Sequence, residues 1–538
     1  MDSSAPVSEN STAQTTQRTW VWHLCRGIFL LVCLLVTAGL FYISYPQKSF
    51  SFAAWLVLAP FIWGICHLRG FWSSTLYGWL TGLVCNGLLL QWVYYTCVHG
   101  GGLSKSMALA AWLGLAAVVS LQFAVFGGAC YFLKKTGAFF PLLAACGWVA
   151  LEWLHQTIAF YALGFPWIML GYTQWNVPEI LYVASYVGVY GISFVLAWVG
   201  SSVGWCFGQP GLKKGLWQLF LAVCVFAAVF GYGRHFQTRQ QRWLAHPHSL
   251  LSVEAALLQP NIDQYKKWTP EYEDEIANTL EEMGASLAGK NLYLAVWPES
   301  AIPGSLAEER YFDLFSRIGE QAGAYQVIGS NIFHSEQEQY VGAYLMAPHS
   351  EGLSAYRKIK LVPFGEFIPF ERVVSYFTKD VEVMGALGGF TPGPTQQPLL
   401  EAGGVKLGTT VCYESIFPQL WREQNKNGAQ LFVNITNDAW FFRTAAPYQH
   451  LAANVLRAVE NGRPVLRAAN TGFSAYIDGF GNIREISHLF TREILTTSVP
   501  LSVRPDSTFY AKWGDWFAWL CAIIFFTIGI SAIVFVYE

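Results

Sequence analysis

Of the eleven cysteines in the chain, ten lie in or beside strongly hydrophobic stretches, where cysteine packs as a small apolar residue, and only Cys412 stands in the more polar part. A domain with one cysteine cannot close an internal disulfide. Cys412 is therefore a buried inert thiol, an intermolecular link or a reactive group. The apolar run 405–411 reads as a strand leading into Cys412-Tyr413-Glu414, and a helical pattern follows through 416–424. A thiol at such an elbow lies near backbone N–H groups and the positive end of a helix, both of which favour a thiolate and a developing oxyanion.

Two other segments carry groups that could serve a thiol. The run 292–296 is stopped by Pro298 in Trp297-Pro298-Glu299-Ser300, which leaves a carboxylate at the edge of a strand. Taken alone, such a glutamate is more often a solvated loop residue. Tyr356-Arg357-Lys358-Ile359-Lys360, followed by Leu361-Val362-Pro363-Phe364-Gly365-Glu366, reads as a charged face, and spacing gives Lys358 no catalytic role.

The elements around these groups suggest an α/β or layered αββα domain. Strands are expected at 250–259, 292–297, 325–329, 341–346, 405–411, 431–435 and 465–469, and helices at 272–287, 306–323 and 447–461. The rest of the chain is of another kind. The 538 residues are 53% hydrophobic and only 13% charged, whereas a soluble domain carries roughly 25% charged residues. About eight spans poor in ionisable groups, at 27–45, 52–68, 72–95, 107–133, 138–155, 180–207, 216–233 and 516–537, predict a helical membrane bundle.

Lys and Arg set the orientation. With the N-terminus inside, the inner tail and short loops hold Arg18, Arg26, Arg69, Lys134, Lys135, Lys213 and Lys214, against Lys48 and Lys105 outside. This predicts a disordered cytoplasmic tail (1–20), a bundle (21–235), an extracytoplasmic domain (236–512) and a final span (513–538). The stretch 156–178 reads as an interfacial loop with aromatic anchors. A net charge of −2 gives no reason to expect nucleic acid, and no phosphate-binding glycine-rich loop calls for a nucleotide cofactor.

Together, the segments holding Glu299, Lys358 and Cys412 resemble the nitrilase superfamily, whose triad is a glutamate, a lysine and a cysteine in that chain order. Further matching pieces are Gln259-Pro260-Asn261-Ile262 with Trp268, Leu361 to Glu366, Asn434 to Trp440, Gly164-Phe165-Pro166-Trp167 and Tyr190-Gly191-Ile192-Ser193-Phe194. With its spans, the chain resembles the membrane-bound apolipoprotein N-acyltransferase family. That resemblance implies an extracytoplasmic nitrilase-like αββα sandwich in the bacterial inner membrane. It implies that a phospholipid, typically phosphatidylethanolamine, acylates Cys412 and that the thioester passes to the α-amino group of a diacylglyceryl-cysteine in an apolipoprotein.

The resemblance makes Glu299 the base and Lys358, with the N–H after Cys412, the oxyanion donors. Glu366, Tyr413, Glu414 and Trp268 support them, and neither metal nor cofactor is implied. Because water would hydrolyse a thioester, an apolar lid is expected, with Met384, Leu387 and Phe390 in the loop 377–393 as candidates. Two rivals remain. A membrane-tethered nitrilase-type amidohydrolase shares the triad but needs only one span, and a transporter or scaffold predicts ionisable groups within the spans, where essentially only Glu152 is found.

Overall fold

The computed structural model describes residues 9–208, 213–244, 251–335, 338–349, 352–369, 389–501 and 507–537. Its first part is mainly helical, because long runs of Leu, Val, Ala and Phe without Asp or Glu can satisfy their backbone in lipid only within a helix. The helix Glu9–Ser44 starts within the stretch 1–20 expected as a tail.

Among the described residues, four helical stretches are long and apolar enough to cross a membrane: Val21–Ser44, Lys105–Tyr161, Ala184–Gly208 and Leu216–Thr238. Phe71–Leu89 with Gln91–Gly100, bent by 55°, makes a fifth if the pair is one span, while Ser51–Cys66 and Trp516–Gly529 are shorter apolar helices. The expected segments are thus helical, and Lys105–Tyr161 takes in two of them, 107–133 and 138–155. The region expected at 52–68 opens as a 3₁₀ turn, Ser51–Leu56, before Leu58–Cys66, and this shortens it. The helix Lys213–Leu244 also runs past the expected end at 233.

The helices pack through small residues. A Cβ on Gly78 would lie 2.3 Å from the Phe123 carbonyl oxygen, and one on Gly127 2.4 Å from that of Ser74, so only glycine lets Phe71–Leu89 approach Leu121–Leu133 this closely. Large side chains such as Leu24, Val118, Phe220 and Ile523 face outward, as lipid requires.

The second part contains twelve strands among the described residues: β1 (Ser252–Gln259), β2 (Leu294–Val296), β3 (Tyr325–Phe333), β4 (Gln339–Met346), β5 (Leu353–Arg357), β6 (Leu400–Ala402), β7 (Val405–Val411), β8 (Leu431–Thr436), β9 (Val465–Ala469), β10 (Ala475–Ile477), β11 (Ile483–Ile486) and β12 (Glu493–Pro500). They form two six-stranded sheets, β12-β1-β2-β3-β4-β5 and β11-β10-β9-β8-β7-β6. Alternation assigns their faces. Val253, Ala255 and Leu257 of β1 enter the core between the sheets, whereas Ala256 and Leu258 enter the core under the helices Glu273–Ala285 and Glu309–Ala322. Helices Pro418–Lys426 and Ala446–Asn461 cover the other sheet, so the expected αββα layering is present.

This topology gathers the chemistry at one edge. β1, β2 and β3 are parallel, and β3 and β5 both pair antiparallel with β4, so β2 and β5 end on the same side of their sheet. Glu299 follows β2, Lys358 follows β5 and Cys412 follows β7.

Candidate active site

Lys358 is fully buried, and its ammonium donates to Glu299 Oε1 at 3.1 Å and Glu366 Oε1 at 2.5 Å. The charged-face reading of 356–360 is therefore wrong at its central residue. Burial alone would push the Lys358 pKa down, but the two carboxylates outweigh it and hold the pKa well above the ordinary lysine value. Glu366 is held in turn by the Val362 N–H at 2.9 Å, and burial raises its pKa against the pull of Lys358. The second oxygen of Glu299 accepts from the Asn437 N–H at 2.9 Å.

Cys412 is buried, and Glu299 and Lys358 both act on it electrostatically, so the three residues of the expected triad share one site. Burial and then Glu299 push its thiol pKa far up, with Lys358 opposing. Burial thus favours the protonated thiol, as a base at Glu299 requires. Cys412–Ile416 is a short 3₁₀ turn, and the α-helix begins only at Pro418.

The backbone around these groups is strained. Ser300, Phe364 and Cys412 have φ of 48°, 61° and 49°, and each adjoins or is one of the site's residues. Non-glycine residues in this region cost of order 1–3 kcal/mol each and persist where surrounding structure over-determines them. Here the surroundings can be named. Gly329 on β3 lies under the turn after β2, where an added Cβ would come within 2.1 Å of the Pro298 carbonyl oxygen. His450 Nε2 donates to the Cys412 carbonyl at 3.0 Å, and its other ring nitrogen lies 2.9 Å from Asp438 Oδ1 and 3.1 Å from Arg467 Nη2. Arg467 also donates to Asp438 Oδ2 at 2.8 Å and Asn434 Oδ1 at 2.6 Å. Burial would raise Asp438, but Arg467 and His450 hold it down to about 2. Sequence reading missed His450 and Arg467. The only signal was an ionisable residue at each of two positions otherwise reading as core.

Glu414, expected to support the triad, lies behind the Cys412 elbow. Fully buried, it accepts from the N–H groups of Val411 (2.8 Å), Ile359 (2.6 Å) and Lys360 (3.1 Å) and from the Tyr356 hydroxyl, bracing the Cys412 elbow against the Lys358 segment. Burial raises its pKa to about 7. Tyr413 turns toward the membrane part, donating to the Gly164 carbonyl at 3.1 Å and stacking near-parallel with Phe165 and Trp167. Within the expected loop 156–178, residues 162–169 lack regular structure and carry these aromatics onto the second domain. Trp167 is buried and donates to Gln449 Oε1 at 2.8 Å, which also accepts from Trp92 at 3.1 Å.

Trp268 is half-exposed at the end of the short helix Gln264–Lys267, unlike the buried triad. Of the candidate lid, Met384 and Leu387 lie outside the described residues. Phe390 is partly buried against the core, with its N–H 3.2 Å from the Glu366 carbonyl.

Two family models match: Carbon-nitrogen hydrolase over residues 254–505 and Apolipoprotein N-acyltransferase N-terminal domain over residues 37–202. The chain is 33% identical over 501 residues to the apolipoprotein N-acyltransferase of Geobacter metallireducens, covering 89% of this chain and 90% of that one. It is 31% identical to that of Methylococcus capsulatus, covering 84% and 86%, and 28% identical to that of Shewanella oneidensis, covering 82% and 84%.

Proposed function

The chain belongs to the apolipoprotein N-acyltransferase family, and from that membership we propose that it N-acylates lipoproteins through a thioester on Cys412. Glu299 takes the thiol proton as the sulfur attacks a phospholipid ester, and Lys358 with the Tyr413 N–H stabilises the oxyanion. The proton returns to the departing lysophospholipid alcohol. In the second half, the α-amino group of a diacylglyceryl-cysteine attacks the thioester, and Glu299 again accepts a proton. Exchanging ester for thioester is nearly balanced and forming the amide is downhill, so no nucleotide is required.

The observation that carries this reading is the seating of the nucleophile elbow on the membrane part. Gln156 donates to the Ile416 carbonyl at 2.7 Å, Tyr413 to Gly164, and Lys360 to the Phe160 carbonyl. A hydrolase on a tether would not need its catalytic turn built onto membrane helices. We take phosphatidylethanolamine as the donor and a diacylated apolipoprotein as the acceptor. Intact mass of the full-length protein after incubation with phosphatidylethanolamine vesicles is expected to show one added acyl chain on Cys412, released when a diacylated lipopeptide is supplied. A protein that releases free fatty acid without ever carrying the chain supports the amidohydrolase instead.

We place residues 251–501 outside the cytoplasm in the bacterial inner membrane, on the Lys/Arg asymmetry of the loops. Reporters active only in the periplasm are expected to work when fused near residue 300 and to be silent at the C-terminus. The opposite pattern would overturn the orientation.

A further inference from the structure

Deepening that acyl-transfer reading, on which it rests, the turn that carries the nucleophile is backed by tryptophans of the membrane part. An acyl chain on Cys412 has two fates. If an amine attacks the thioester carbonyl, the C–S bond breaks, the sulfur regains a proton and an amide is left. If water attacks, the same bond breaks and a fatty acid is left. Water is small and abundant, so the chain reaches the amine only if water is kept from that carbonyl.

Three elements meet beside the Cys412 elbow. Trp92 comes from the helix Gln91–Tyr95, Trp167 from the stretch 162–169 and Phe441 from the turn Asp438–Phe441. Ring centroids lie 5.3 Å apart for Trp92 and Trp167, 4.9 Å for Trp92 and Phe441, and 5.9 Å for Trp167 and Phe441. Trp167 also lies 6.3 Å from Tyr413, nearly parallel to it, and 5.3 Å from His450, whose Nε2 donates to the Cys412 carbonyl. The wall adjoins the base as well, since Asn437, just before the turn, donates its N–H to Glu299 Oε2 at 2.9 Å.

Such a wall carries two indole N–H groups, and each would hold a water if left free. Gln449 takes both. Its buried side chain accepts through Oε1 from Trp92 Nε1 at 3.1 Å and from Trp167 Nε1 at 2.8 Å. Indole N–H only donates, so the amide oxygen must face the tryptophans and the amide nitrogen must point away. That nitrogen donates to the Leu89 carbonyl at 3.1 Å. The carbonyl is free because the membrane helix bends by 55° after Leu89, and the Val93 N–H, its partner in a continuous helix, bonds to the Leu90 carbonyl at 2.9 Å instead. One side chain thus satisfies polar groups that three separate segments bury.

We propose that Gln449 is a positioning residue of the acyl transfer: by occupying the N–H groups of Trp92 and Trp167 it makes the wall beside Cys412 apolar, so that no water is held next to the thioester. It touches no reacting atom and acts through the two tryptophans.

The test measures how the acyl chain is partitioned in the full-length protein. Acyl-enzyme is formed from phosphatidylethanolamine vesicles and quantified by intact mass, and free fatty acid and amide are then followed after a synthetic diacylated lipopeptide is added. Gln449→Leu keeps the bulk of the side chain but leaves both indoles to water. Cys412 should still acquire its acyl chain, while fatty acid released per amide formed rises on the order of tenfold. Gln449→Glu keeps an acceptor for both indoles and should hold the ratio close to native. Replacing both tryptophans by phenylalanine in the Gln449→Leu background removes the N–H groups themselves and should bring the ratio back down, whereas a merely loosened structure would leak more. This triple variant buries no unpaired indole, so it answers the question even where Gln449→Leu alone does not fold. An unchanged ratio in Gln449→Leu, an equal rise in Gln449→Glu, or a raised ratio in the triple variant would each overturn the inference. Absence of an acyl chain on native Cys412 would instead remove the proposed function.

Discussion

Cys412→Ala is expected to abolish both the acyl-enzyme and the amide product while leaving the protein folded. The substitution removes one sulfur from a buried position, and the His450 hydrogen bond that holds the elbow goes to the Cys412 backbone carbonyl, which alanine keeps. Cys412→Ser is expected to be nearly as inactive. Burial and Glu299 already make the thiol hard to ionise, and a hydroxyl in the same place is harder still. Intact mass after incubation with phospholipid, together with amide formation on a lipopeptide, measures both effects. Normal turnover by Cys412→Ala would remove the mechanism altogether.

How much of this was legible depended on whether a group's partners lie near it in the chain. The runs at 405–411 and 465–469 match β7 and β9 residue for residue, because buried strands bounded by turn residues announce themselves. β5, β11 and β12 are short or half-exposed and were not expected. The turn of Pro298 toward the strand end gave Glu299 its place from local sequence alone. Lys358 could not be placed that way. Its two partners lie at positions 299 and 366, and only folding makes a buried ammonium of what reads as one of several surface cations. The same non-locality hid His450, which reaches Cys412 across 38 residues, and Gln449, whose partners lie at positions 89, 92 and 167. Spans were visible as hydrophobic runs, but kinks such as the 55° bend near Leu90 belong to packing.

The Lys358 cluster gives the second large effect. Lys358→Met is expected to cost on the order of 10² or more in the rate of Cys412 acylation, since an oxyanion donor is lost. It also leaves Glu299 and Glu366 facing each other in a buried site without the cation between them, and removing one partner of such a pair costs roughly 3–5 kcal/mol of stability. Two buried carboxylates facing each other do not both ionise readily, and a proton held between them costs Glu299 its basic form. Residual activity should therefore rise as pH increases. In the native protein the sign for stability is the reverse. The Lys358 pKa is raised in the fold, so the ammonium's contribution is complete below about 10.4, the free-lysine value, and is lost only as pH rises beyond it. Glu299→Gln separates the two causes. It removes the base, leaves Lys358 paired with Glu366, and should cost a similar factor of about 10² in rate with much less stability and no recovery at high pH. Thermal unfolding and acylation rates of the two variants at pH 6 and 8 make the comparison. If Lys358→Met and Glu299→Gln acylate at native rates, Cys412 draws its reactivity from elsewhere.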